Sequence, residues 1–126
     1  MTDIAATTVE TTIERYFASW NETDPASRTG LVQSAFGEAA RYVDPLADAT
    51  GHLAISDMMG AVHEQYPGMT VRRTSPLDQH HDVIRFHWQI VTADGSTLVD
   101  GIDVVRVDGG GQLMDVRGFF GSRVEA

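Results

Sequence analysis

Apolar residues recur at helical spacing in the first part of the chain and at alternate positions in the last part. Val9, Ile13, Tyr16 and Trp20 lie three or four residues apart, which places them on one face of a helix. The sequence therefore predicts an amphipathic helix over residues 7 to 21.

Two further helices are predicted before the long strands begin. Asp24 followed by Pro25 is typical of a helix start, because Asp caps free amides and Pro fits the first turn. The short helix that follows presents apolar residues as far as Phe36, and a third helix covers residues 52 to 66. Between them, residues 40 to 43 form a short predicted strand that ends at an Asp-Pro pair.

The rest of the chain alternates like a set of strands. Asp94-Gly95 is a strong hairpin signal, and the three glycines from Gly109 indicate another turn. The predicted strands cover residues 70 to 76, 83 to 91, 97 to 107 and 112 to 120. Helices first and an antiparallel meander afterwards predict an α+β fold, with the helices covering one face of a curved sheet.

One carboxylate interrupts the apolar face of the strand at residues 97 to 107. Alternation places Asp103 on the same face as Val99, Gly101, Val105 and Val107. If that face joins Phe86 and Trp88 on the neighbouring strand, Asp103 lies in an apolar concavity, where burial raises the pKa of a carboxyl group. The alternative is a structural carboxylate that accepts hydrogen bonds or faces solvent.

Length, composition and charge limit the classes of function. The 126 residues suit one domain spanning residues 1–126. The net charge of −9 disfavours nucleic acid and anionic membrane surfaces as partners. The chain has no cysteine, no secretory signal pattern and no apolar run near the ~20 residues that span a bilayer, so we expect a cytoplasmic location.

No metal or cofactor site is predicted. His52 and His63 share a helix face but lie eleven residues apart, too far to bind one metal ion together. His80 and His81 fall in a predicted exposed turn, and the Gly109 cluster lacks the strand-to-helix setting of a phosphate-binding loop.

Three segments carry a resemblance to a known superfamily: IERYFASW, EAARYVDPLADATG and DGIDVVRVDGGGQLMDVRGFF. With these segments the chain resembles the NTF2-like, or SnoaL-like, superfamily, and within it the bacterial Δ5-3-ketosteroid isomerases. The resemblance implies a cystatin-like cone, in which three N-terminal helices pack on a curved, mostly antiparallel sheet. It also implies a homodimer formed through the outer face of that sheet.

The resemblance implies an isomerase site as well. Asp44 would be the general base, and Tyr16 and protonated Asp103 would stabilise the enolate of an apolar, steroid- or terpenoid-like substrate. Without the resemblance, Tyr16 is a core tyrosine and Asp44 a turn residue. Side chains that could wall the apolar cavity are Trp20, Met58, Met59, Phe86, Trp88 and Phe120.

The sequence departs from the isomerases at three supporting positions. Phe36 and Met59 stand where the isomerases have tyrosines that support the oxyanion hole, and Phe120 stands where they have a tryptophan. Loss of the two tyrosine hydroxyl groups would weaken or retune the oxyanion hole.

Other functions fit the same superfamily. A SnoaL-like polyketide cyclase and a limonene-epoxide-hydrolase-like enzyme would use the same cavity, but the hydrolase needs a buried arginine between two acids. Arg85, the nearest strand arginine, has the wrong parity for the inner face. A non-catalytic ligand-binding module would have a blocked pocket or an outward-facing Asp103.

Overall fold

Two helices begin the described part of the chain, and a third follows two short strands, at the positions that the hydrophobic spacing predicts. The computed structural model describes residues 6–121. Its helices are α1 (Ala6–Asn21), α2 (Pro25–Ala35) and α3 (His52–Gln65). No helix within the described range is both long and apolar enough to cross a bilayer.

The helix boundaries follow from capping chemistry. The carboxylate of Asp24 accepts a hydrogen bond of 2.9 Å from the amide of Ser27, and Pro25 occupies the first turn of α2. Helix α3 instead starts after Gly51, whose φ of 89° is a left-handed conformation that a residue with a Cβ rarely adopts. The chain can therefore turn sharply from a strand into α3.

A curved mixed sheet forms the second layer. Its strand order is β2-β1-β7-β6-β5-β3, with β4 pairing to β5, and only the β1–β7 pair among these is parallel. The strands are β1 (Phe36–Val43), β2 (Asp48–Thr50), β3 (Thr70–Arg73), β4 (Asp78–His80), β5 (Val83–Val91), β6 (Thr97–Val107) and β7 (Leu113–Phe120). The core fills the space between the helices and the inner face of this sheet.

The register of the three long strands determines what faces inward. Asp103 on β6 lies between Phe86 on β5 and Gly118 on β7. Phe86 is completely buried, so Asp103 is on the inner face, as alternation predicts.

Gly101 on β6 has a packing reason to lack a side chain. It is paired with Trp88, and a Cβ at Gly101 would lie 2.3 Å from Cζ2 of the indole ring. The indole ring therefore packs against bare backbone at Gly101, two residues away from Asp103 on the same face.

Some predicted boundaries were wrong. Phe36 opens β1 instead of continuing the second helix, and the strand at residue 70 ends at Arg73. Residues 78 to 80, predicted as an exposed turn, form β4 as an edge strand along β5. Strand β2 was also not predicted, since three residues are too few to display an alternating pattern.

Candidate active site

One apolar cavity of about 430 Å³ opens between α1, α3 and the inner face of the sheet. The three residues predicted for catalysis, Tyr16, Asp44 and Asp103, all line it. Four of the six predicted wall residues line it too: Trp20, Met58, Trp88 and Phe120. A cavity of this size suits a small organic ligand.

Asp103 sits at the inner end of the cavity and receives two hydrogen bonds. The hydroxyl of Tyr16 contacts Oδ2 at 2.6 Å, and the indole Nε1 of Trp88 donates to Oδ1 at 2.9 Å. Only 3% of Asp103 is exposed. The carboxyl group is therefore held in place from both sides by aromatic residues.

Burial raises the pKa of Asp103 to about 7. The hydrogen bonds from Tyr16 and Trp88 act in the opposite direction, and the charge of Asp44 adds a smaller increase. Desolvation outweighs the hydrogen bonds because it penalises the charged form of the whole group. Neutral and ionised Asp103 are therefore both accessible near neutral pH.

Asp44 directly follows the last residue of β1, and its carboxylate accepts three hydrogen bonds. Its Oδ1 accepts from the amides of Leu46 and Ala47, each at 2.8 Å, and its Oδ2 accepts from the hydroxyl of Tyr42 at 2.6 Å. Asp44 is thus a turn-capping residue, as its position before Pro45 predicts, and at the same time a carboxylate that lines the cavity.

Gly118 on β7 lets the two acids approach one another. A Cβ at Gly118 would lie 3.0 Å from Oδ1 of Asp103, 3.3 Å from Cβ of Asp44 and 3.8 Å from the hydroxyl oxygen of Tyr42. The floor between the two carboxylates is therefore bare backbone.

Two polar groups of the cavity, the hydroxyl of Tyr42 and the indole N–H of Trp88, were not predicted from the sequence. Tyr42 lies two residues before Asp44, and the alternation rule could have placed both on one side of β1. The indole N–H of Trp88 was treated only as part of an apolar wall, and only the register of β5 and β6 brings it to Asp103.

Two predicted wall residues lie in the core instead. Met59 and Phe86 are completely buried and do not line the cavity. Phe86 packs edge-on against Tyr16 and Phe17, with ring centroids 6.1 and 5.5 Å apart. Phe86 therefore supports α1 through these ring contacts and does not form part of the cavity wall.

Among residues 6–121, no arginine lines the cavity that holds the two acids. Arg28 is buried, but its Nε donates to the carbonyl of Ser56 at 2.9 Å, outside the cavity. Arg85 faces outward, as its parity predicts, and pairs with Asp78 at 2.6 Å. The arrangement expected of a limonene-type hydrolase is therefore absent from the described cavity lining.

The helical histidines bind backbone carbonyl groups. Nε2 of His52 lies 2.8 Å from the carbonyl oxygen of Phe36, and Nε2 of His63 lies 2.6 Å from that of Trp20. Within the part of the chain that the structure describes, no three His, Asp or Glu side chains come together as a metal-binding group.

Fold and sequence place the chain in a defined family. The SnoaL-like domain profile matches residues 13–115, so the chain belongs to the SnoaL-like domain family. No curated protein matches it.

Solved structures agree with this assignment. A candidate isomerase of the SnoaL-like family from Agrobacterium tumefaciens str. C58 is 34% identical, with a TM-score of 0.86 over 92% of this chain and 99% of that one. An NTF2-like protein of unknown function from Exiguobacterium sp. 255-15 is 20% identical, with a TM-score of 0.70 over 89% and 99%. A candidate SnoaL-like polyketide cyclase from Jannaschia sp. CCS1 is 14% identical, with a TM-score of 0.70 over 95% and 91%. The last two show a shared fold alone, which confirms the predicted NTF2-like architecture.

Proposed function

We propose that the protein is an isomerase that moves a proton between two carbons conjugated to a carbonyl group in an apolar, steroid- or terpenoid-like compound. The observation that carries the proposal is the Tyr16–Asp103–Trp88 cluster, which shares one apolar cavity with the carboxylate of Asp44. The cavity supplies a hydrogen-bond donor for a developing oxyanion and a base for the neighbouring carbon.

The hydrogen bonds around Asp103 suggest how the oxyanion is stabilised. An indole N–H can only donate, so Oδ1 of Asp103 must accept from Trp88. A proton on neutral Asp103 then belongs on Oδ2, where it donates to the oxygen of Tyr16. The Tyr16 hydroxyl becomes free to donate to a ligand carbonyl oxygen. A neutral carboxylic acid kept in an apolar site is a known way to hold such a donor.

In the proposed reaction, Asp44 both removes the proton and returns it, so no other acid or base is needed. Its carboxylate takes a proton from the carbon next to the carbonyl group. The C–H electron pair forms a C=C bond, and the carbonyl pair moves onto the oxygen that Tyr16 stabilises. The C=C bond that the substrate already carries, one carbon further from the carbonyl group, extends this enolate to a dienolate. The carbonyl group then re-forms, the new C=C bond shifts into conjugation with it, and the electron pair of the original C=C bond takes the same proton from Asp44 at its far carbon.

Two observations favour an enzyme over a non-catalytic binding module. Trp88 lines the cavity without blocking it, and Met59 lies outside it. Asp103 also points inward and is hydrogen-bonded to Tyr16, so the cavity presents polar chemistry at its inner end.

The proposal is tested with 5-androstene-3,17-dione, whose product is followed by the ultraviolet absorbance of its conjugated enone. The wild type should convert it, and Asp44→Asn should lower kcat by about 10² to 10⁴, the usual contribution of a general base. Absence of conversion by the wild type, together with no binding of the phenolic enolate mimic equilenin, would rule out the steroid substrate.

A further inference from the structure

A second tyrosine–aspartate pair faces the cavity beside Tyr16 and Asp103. Tyr42 and Asp44 both lie at the end of β1 and line the cavity, and Tyr42 donates to Oδ2 of Asp44 at 2.6 Å. The proposed proton transfer needs the carboxylate of Asp44 but assigns no part to this hydroxyl.

The donors around Asp44 occupy most of its acceptor positions. An ionised carboxylate offers about four lone-pair positions, two on each oxygen. The amides of Leu46 and Ala47 occupy both positions on Oδ1, and Tyr42 occupies one on Oδ2. The donors within residues 6–121 therefore leave one position open, and it is on Oδ2.

Tyr42 is held firmly enough to maintain this pattern. Its ring is buried and meets the indole of Trp20 edge-on, with centroids 5.9 Å apart. Its backbone is paired on both sides, with Ala49 of β2 and Val116 of β7. Burial, followed by the charges of Asp103 and Asp44, raises the pKa of Tyr42 well above its usual value, so the hydroxyl keeps its proton.

We propose that Tyr42 is a positioning residue that leaves Asp44 a single proton-accepting position, on Oδ2. The inference rests on the proposed isomerase function. Because a single position receives the proton and returns it, the proton stays between the two substrate carbons and is shielded from exchange with water. Tyr42 thereby supplies a hydroxyl group beside the base Asp44. Beside the oxyanion donor Tyr16, by contrast, Phe36 and Met59 replace two tyrosine hydroxyl groups of the isomerases.

The test uses 5-androstene-3,17-dione deuterated at the carbon that loses its proton, with the reaction run in ordinary water. Wild type should carry a measurable share of the label to the new carbon. Tyr42→Phe opens a second acceptor position to water, so the retained share should fall at least about twofold, as expected for the loss of one hydrogen bond.

Tyr16→Phe is the matched contrast, because it removes a hydroxyl from the other tyrosine–aspartate pair. It should lower kcat and leave the retained share of label unchanged. The positioning role is overturned if wild type retains no label, if Tyr42→Phe retains as much as wild type, or if both variants lose label equally.

Amide hydrogen exchange tests the same role without any substrate. The Leu46 and Ala47 amides donate to Asp44, so their exchange should become roughly two- to tenfold faster in Tyr42→Phe, the equivalent of one net hydrogen bond. Tyr16→Phe should leave these rates unchanged. Unchanged rates in Tyr42→Phe overturn the role even if the protein is an isomerase. Faster rates in a protein without isomerase activity support the positioning and reject only the proposed function.

A third measurement does not depend on the folding of Tyr42→Phe. In the wild type, the Tyr42 hydroxyl proton should give a slowly exchanging NMR resonance that Asp44→Asn shifts. Absence of that resonance, or a resonance that Asp44→Asn leaves in place, overturns the hydrogen bond on which the proposal depends.

Discussion

Replacement of Asp103 by asparagine should change how the stability of the protein depends on pH. The asparagine side chain would still accept from the indole of Trp88 through its carbonyl oxygen, and it would donate to the oxygen of Tyr16 through its amide nitrogen. It therefore mimics the neutral acid in shape and hydrogen bonding but cannot ionise.

The size of the effect follows from the pKa of Asp103, which burial raises from 3.8 to about 7. Between these values the native protein retains a proton that the unfolded chain has released. Stability from this group is therefore fully present below about pH 4 and falls by about 1.4 kcal/mol per pH unit up to about pH 7. The total loss amounts to about 4 kcal/mol, and no further loss is expected at higher pH.

The assay is urea unfolding of wild type and Asp103→Asn at several pH values from 4.5 to 8.5. Carboxyl groups with a lowered pKa, such as those of Asp48 and Asp82, have the opposite effect, because their contribution to the stability of the protein is lost as pH falls. Both proteins share those groups, so their effect cancels in the difference between the two free energies of unfolding. A difference constant within about 1 kcal/mol across this range would refute the reasoning.

Three further predictions concern activity, packing and assembly. In the proposed enzyme, kcat/KM should fall as pH rises through about 7, because ionised Asp103 accepts the Tyr16 hydroxyl and withdraws it from the ligand. Asp103→Asn should abolish that fall. A fall that persists in the variant contradicts donation from Asp103 through Tyr16 to the ligand. Gly101→Ala should lower the free energy of unfolding by about 1 to 3 kcal/mol, because its Cβ would clash with Trp88. Gly30→Ala is the control and should not lower it, since a Cβ there has nothing within 4 Å. Equal melting temperatures of Gly101→Ala and wild type would refute the clash. If the proposed homodimer forms through the outer face of the sheet, light scattering should give twice the chain mass of 13.7 kDa, and Phe119→Asp should give a monomer; a monomeric wild type would refute it.

The features that could be predicted from sequence are those whose cause is local. The spacing of Val9, Ile13 and Tyr16 determines which face of α1 is buried, and alternation alone places Asp103 on the inner face of β6. These patterns depend on a single element and its own periodicity.

The features that could not be predicted depend on partners distant in the chain. Strand β4 forms because β5 offers a free edge, and its own three residues carry no alternation. Met59 and Phe86 are large apolar residues of the kind that line pockets. Phe86 is a core residue only because it packs against Tyr16 of α1, which itself lines the cavity. The indole hydrogen bond of Trp88 needs the register of two strands, which no local pattern supplies.

The bare backbone at Gly118 has a consequence for how such a scaffold can evolve. A single methyl group there would enter the gap between Asp103 and Asp44, while every hydrogen-bonding side chain of the site and the whole core would remain unchanged in sequence. One nucleotide substitution could thus alter the spacing of the two carboxylates that the proposed reaction needs, without replacing any side chain that lines the cavity. Because the methyl group would press on the buried side chain of Asp103, the same substitution would also act on stability, so position 118 couples the geometry of the site to the stability of the fold.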